Sequence, residues 1–389
     1  MACFTRAMAK PLPQSSVHLD AVRAIAALTV FAGHARDLFI GSPRAAAGLG
    51  HAAATSADPQ LTIGHLAVIV FFVLSGYLVG GGALRALKDG EWSWSGYAVQ
   101  RMSRLWVALI PALLLGVVLD SFGSLWFGTG SIYSGPAGQG EVAANLSSHL
   151  TLAALFGNVF FVQGILVPTL GTNDALWSLT NEFWYYALFP VMLFALFGRD
   201  GNVKRGIYAA AFALIMLFTG WKIALYFGIW LMGAALELVP RKLHKQAVSM
   251  IIPACALLFL DICAMMLKMK LGLIQSDFVV AATFCVLCYA MLNSKEDAKE
   301  SLYARASHFV AKMSYTLYLT HLPLLVFICA LVMPVWHRWP LDTLHVMMML
   351  PILAGVFGIS YLLYLFFERN TNAVRMAAAQ MFRARAKLA

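Results

Sequence analysis

Long apolar stretches, each closed by a few polar or basic residues, recur along this chain from residue 20 to residue 367. Such stretches suit a hydrocarbon core of ~30 Å, which takes about 20 helical residues to cross. The pattern predicts an all-α, polytopic membrane bundle of about ten spans, near 20–40, 62–84, 103–120, 176–197, 206–220, 221–238, 248–267, 278–292, 311–333 and 343–367. The fifth and sixth are joined by the tight turn Gly220-Trp221-Lys222, so the fifth is short or tilted. Residues 149–166 are also apolar, but a full span there would reverse every later helix. They are read as a re-entrant or surface-lying helix that continues the Gly/Ser-rich 121–148 loop.

Composition agrees, with 61% hydrophobic and 12% charged residues, and it excludes a water-soluble domain. An even number of spans puts both termini on one side. On that side lie 21 of the 28 Lys and Arg residues, against six on the other and Arg23 within the first span. The positive-inside rule makes it cytoplasmic. The net charge of +10 therefore reports orientation and contact with anionic headgroups, not a nucleic-acid partner. The first apolar run carries Asp20 and Arg23 and lacks a clear cleavage site, so it reads as a span rather than a cleavable leader. Residues 1–370 are expected to form one membrane domain and 371–389 a basic cytoplasmic tail. Cysteines give no disulfide framework, and Cys285-x-x-Cys288 lacks a second ligand pair.

Chemistry is concentrated at a few positions. Arg23 and His34 lie eleven residues apart in the first span. Eleven steps of 100° return both to one face, about 16 Å apart along the axis. Ionisable groups on such a stripe usually face a bundle interior or an aqueous path. The bland alternative is a snorkelling Arg23 and a His34 that only bonds a neighbouring helix. The second span holds Ser75-Gly76, small enough for close packing or ligand approach. Arg101 and Arg104 open the third span on one helix face, placed to grip a phosphate or to anchor the helix.

The fourth span begins at Trp177 and carries Ser178, Asn181, Glu182 and Tyr185 as a polar stripe. A carboxyl among aromatics is suited to proton exchange, or to pairing with a buried arginine. Ser314, Tyr318 and His321 line one face of the ninth span, where Pro323 frees backbone carbonyls. No His/Cys metal motif and no Gly-x-Ser-x-Gly elbow is present.

Taken in order, these segments resemble the acyltransferase family 3 membrane proteins. The likeness rests on Leu19-Asp20-x-x-Arg23-x10-His34, Phe71-Phe72-x-Leu74-Ser75-Gly76-Tyr77-Leu78 and Arg101-x-x-Arg104. It continues in Trp177-Ser178-Leu179-x-x-Glu182, Ser314-Tyr315-x-x-Tyr318-Leu319-x-His321-x-Pro323 and Phe367-Glu368-Arg369. The resemblance implies a ten-helix enzyme that moves an acyl group, commonly acetyl, from cytoplasmic acyl-CoA to a saccharide hydroxyl, without a metal or other cofactor. It makes Arg101 and Arg104 holders of the CoA phosphates, and Arg23 a neutraliser of the donor. His34 becomes the general base or a transient acyl carrier, and Glu182 the group that orients or recharges it. Ser75, Gly76, Trp177, Ser178, Tyr315, Tyr318 and His321 would line the channel, some of them stabilising an oxyanion. It also implies a bacterial inner membrane. The rival is a transporter or flippase for an acylated or anionic envelope precursor, which would be expected to show inverted repeats; the sequence has none.

Overall fold

A computed structural model describes residues 13–41, 62–134, 146–199, 201–268, 272–294, 296, 298 and 300–386. The described residues form helices and connecting turns, with no β-strand among them. In chain order the principal helices are α1 (Gln14–Phe39), α2 (Ile63–Lys88), α3 (Trp94–Trp126), α4 (Leu152–Val159), α5 (Trp177–Phe197) and α6 (Asn202–Ala235). They continue with α7 (Lys245–Lys268), α8 (Leu273–Leu292), α9 (Leu302–Val332), α10 (Thr343–Phe366) and α11 (Thr371–Ala386). Side chains cap several starts: Thr62, Ser93, Ser301 and Asp342 each accept the backbone N–H three residues on.

Eight helices among the described residues are long and apolar enough to cross a membrane. Two features separate that number from the ten spans of the sequence pattern. First, α6 runs for 34 residues but is broken at Gly220, whose φ of 79° and ψ of 170° no helix contains. A side chain there would meet nothing within 4 Å, so the backbone angle is what requires glycine. Second, α5 has 21 residues, enough for about 30 Å, but Asn181 and Glu182 lower its mean hydropathy.

α9 is the hub, packing along α1, α3 and α10. Outward-facing α7 and α10 expose Leu257, Leu258, Met347 and Leu350, as contact with lipid requires. α2 and α6 touch backbone to backbone. A Cβ on Gly76 would stand 1.9 Å from the Trp230 carbonyl oxygen, and one on Gly233 would stand 2.0 Å from that of Val73. Beside this contact, Gly76–Gly80 forms a π-helical turn within α2.

Within the 149–166 stretch the α-helix Leu152–Val159 is eight residues long and follows the four-residue helix Leu146–His149. Its ~12 Å cannot cross a bilayer. The loop after it is pinned to the bundle from several sides. Buried Asp120 on α3 accepts from Thr172 N at 2.7 Å and Thr172 Oγ1 at 2.9 Å. Asn173 Nδ2 donates to the Leu319 carbonyl at 2.8 Å. That carbonyl lies four residues before Pro323, which has no N–H to offer it.

Candidate active site

Between α1, α2, α3, α5 and α9 lies a cavity of about 550 Å³, with the start of α11 at its mouth. Arg23, Ser75, Arg101, Arg104, Glu182 and Tyr315 are on its wall, and Ser178 and Tyr318 are at its deep end. Lys312, Arg369 and Arg375 add positive charge to the mouth, where Asp20 also sits. Asp20 bonds His308 at 3.0 Å and lies 3.9 Å from Arg23. The helices supplying this wall come from opposite ends of the sequence, and each contributes its short polar interval.

The two arginines of α3 differ. Arg104 pairs with Glu368, a carboxylate 2% exposed, and lies over the Tyr315 ring at 5.2 Å. The second oxygen of Glu368 accepts from Thr316 N at 3.1 Å and Thr316 Oγ1 at 2.6 Å. Arg104 is thus held by protein at one end. Arg101 lies over the rings of Tyr97 and Tyr186, at 5.5 and 5.9 Å, and its buried Nε has no hydrogen-bond partner in the protein.

Glu182 accepts hydrogen bonds from Ser75 Oγ, at 2.9 Å, and from the Tyr186 hydroxyl. Trp230 Nε1 in turn donates to Ser75 Oγ at 3.1 Å. Ser75 is therefore a bridge between α2, α5 and α6. Gly76 faces the α6 backbone and is a packing residue, away from the cavity lining.

His34 Nδ1 lies 2.8 Å from His321 Nε2, with the ring planes within 15° of each other and the ring centroids 5.0 Å apart. His321 Nδ1 lies 3.0 Å from the Leu317 carbonyl oxygen, and Phe31 closes edge-on against the ring. This pair sits one turn beyond the cavity. Ser178 and Tyr318 share a 2.7 Å hydrogen bond at the cavity's end, and the Tyr318 and His321 rings are 5.8 Å apart. α5 and α9 run antiparallel here, so Glu182 is about 10 Å from His321 along the bundle axis. The group against His34 is the second histidine, while Glu182 is bound to Ser75 and Tyr186.

Another cluster lay hidden from the sequence pattern. α1 and α2 cross at Gly33 and Gly64, where a Cβ on Gly33 would be 3.7 Å from the Gly64 backbone. The next residues, His34 and His65, are therefore at one level. His65 Nε2 donates to the Asp277 carboxylate at 2.9 and 3.0 Å, and Tyr226 donates to the same group at 2.6 Å. The His65 ring stacks on Trp177 at 6.0 Å and 12°. Trp177 thus belongs to the histidine layer, just past the cavity lining. The hydropathy pattern starts the eighth span at residue 278, which leaves Asp277 in the preceding loop and hides its role.

The sequence model of the acyltransferase domain, family 3, matches residues 17–365. The chain belongs to acyltransferase family 3. No curated protein and no solved structure matches it. This family 3 acyltransferase is an integral membrane protein, and both the cavity and the histidine layer fall inside the matched residues, with Arg369, Arg375 and Glu368 just beyond them.

Proposed function

We propose that the protein transfers an acyl group, acetyl in the simplest case, from cytoplasmic acyl-CoA to a hydroxyl of a surface or exported saccharide. One observation carries this reading: a cation-rimmed cavity runs inward and stops one turn short of a histidine pair. Its ~550 Å³ lies within the range of small-molecule and cofactor sites. Phosphates of the donor would rest against Arg101 and the mouth cations Lys312, Arg369 and Arg375, with Arg23 facing the arm. Arg104, engaged by Glu368, shapes the wall. The Lys/Arg-rich end is cytoplasmic by charge bias, which agrees with a soluble donor and with a bacterial inner membrane.

In the chemical step His34 takes the proton of the acceptor hydroxyl as its oxygen attacks the thioester carbonyl. The tetrahedral intermediate expels the CoA sulfur, which receives the proton back from the imidazolium, giving ester and free thiol. Tyr318 and Ser178 form the end wall against which the acyl carbonyl would rest, Tyr318 donating to the Ala175 carbonyl at 2.8 Å and Ser178 donating to Tyr318 at 2.7 Å. Glu182, bonded to Ser75 and Tyr186, fixes the wall along which the acyl arm passes.

Calorimetry with acetyl-CoA on the purified, detergent-solubilised protein tests the reading. The wild type and His34→Ala are expected to bind alike, and only the wild type to move label from acetyl-CoA into the polysaccharide fraction of membrane vesicles. A folded wild type that binds no acetyl-CoA would favour a transporter instead.

A further inference from the structure

The histidine pair has a direction. The Leu317 carbonyl oxygen is an acceptor and nothing else, so His321 Nδ1, at 3.0 Å from it, carries the hydrogen and donates. In a neutral imidazole the other nitrogen is then the acceptor. His321 Nε2 therefore offers a lone pair toward His34 Nδ1 at 2.8 Å, and His34 Nδ1 must donate. The same rule applied to His34 leaves its Nε2 as the unprotonated, basic nitrogen. A backbone carbonyl of α9 thus sets the tautomer of a side chain on α1, through one intervening ring.

We propose that His321 is a positioning residue that fixes His34 in the Nδ1–H tautomer and holds the imidazolium formed when His34 Nε2 takes a proton. The proposal rests on the reading of His34 as the base. It also reassigns His321. With Nδ1–H given to Leu317 and Nε2 accepting from His34, its neutral ring has no N–H left for an oxyanion. After proton transfer, positive charge on His34 is met by the His321 lone pair, as a carboxylate meets it in a serine hydrolase triad. A neutral ring does this without placing a second full charge in the membrane interior, where an unpaired carboxylate is expensive. The surroundings favour the arrangement. Phe31 lies edge-on to His321, and Tyr318, one turn away, donates to the Ala175 carbonyl and accepts from Ser178.

The experiment uses full-length protein in lipid vesicles, labelled with ¹⁵N-histidine, and solid-state NMR to tell pyrrole-type from pyridine-type ring nitrogens. With ten histidines in the chain, His34→Ala and His321→Leu spectra assign the two rings by difference. Both rings are expected as the Nδ1–H tautomer, and His34 is expected to become a tautomer mixture in His321→Leu. In the vesicle assay with labelled acetyl-CoA, His321→Leu should lower kcat on the order of 10²-fold, within the range that general-base catalysis supplies. KM for acetyl-CoA should change by less than about twofold, because this ring is outside the cavity that binds the donor. His321→Gln puts an amide oxygen where Nε2 was and should recover most of the rate, which a mere packing role for the ring would not explain. Nε2–H on either wild-type ring would overturn the proposal, as would a folded His321→Leu protein with wild-type kcat. If His34→Ala itself remains active, the base reading fails first, and the tautomer spectra still report separately on the pair.

Discussion

Glu368→Ala should destabilise the protein through Arg104, and the size of the effect follows from the contacts. The carboxylate is 2% exposed, pairs with Arg104 through one oxygen and accepts two hydrogen bonds from Thr316 through the other. Breaking a fully buried pair by removing one partner costs about 3–5 kcal/mol, while exposed pairs are worth about 0–1 kcal/mol. Arg104 is 37% exposed toward the water of the cavity, which screens the orphaned charge. That places the cost near the bottom of the buried range, at about 3 kcal/mol. At about 2–4 °C per kcal/mol the apparent thermal midpoint in detergent should fall by roughly 6–12 °C. Arg104→Ala should do the same, and the Arg104→Ala/Glu368→Ala double variant should cost less than the sum of the two by at least ~1 kcal/mol. The assay is scanning fluorimetry of the four proteins at one scan rate. Additive single effects, or a wild-type midpoint for Glu368→Ala, would refute the assignment of Arg104 to the wall and return it to the donor phosphates.

Three further outcomes are expected. Arg101→Ala should leave the thermal midpoint within about 2 °C while weakening acetyl-CoA binding roughly 10- to 100-fold, the worth of one or two charge-assisted hydrogen bonds; calorimetry at two salt concentrations measures it. Gly233→Ala drives a methyl to 2.0 Å from the Val73 carbonyl oxygen, so α2 and α6 must part. That should cost at least ~1–3 kcal/mol and lower the yield of monodisperse protein in size-exclusion chromatography. Asp277→Ala strips partners from both His65 and Tyr226. It should cost about 3 kcal/mol in thermal stability, and Asp277→Asn, which still accepts one of the two bonds, should cost visibly less.

Much of the architecture was legible because a bilayer enforces it residue by residue. Apolar runs had to be helices, and Gly220 announced the break in α6 because glycine adopts its angles without steric cost. The stripe on α5 was only partly legible. Ser178 and Glu182 are four apart and reach the cavity, whereas Tyr185 turns away to pack on Phe72 and Phe227. Partners were the illegible part. His34 and His321 are 287 positions apart, and Arg104 and Glu368 are 264 apart. Periodicity tells which face of a helix a residue shares, but not which helix that face meets. Phe367-Glu368-Arg369 could be singled out as a motif, yet its carboxylate acquires meaning only where the start of α11 folds back beside α3.

The hydrogen bond between Ser178 and Tyr318 has a bioenergetic side. On the proposed function, water and the thioester donor would fill the cavity up to that bond, and the aromatic layer of Trp177 and His65 begins directly above it. A path wetted from end to end would short-circuit an energised membrane, where each proton leaking through forfeits about 2.3 kcal/mol per 100 mV. If the proposed transfer runs here, a floor closed beneath the acyl carbonyl would leave only a group the size of the acyl to pass, and the ion gradient would stay intact while the chemistry crossed it.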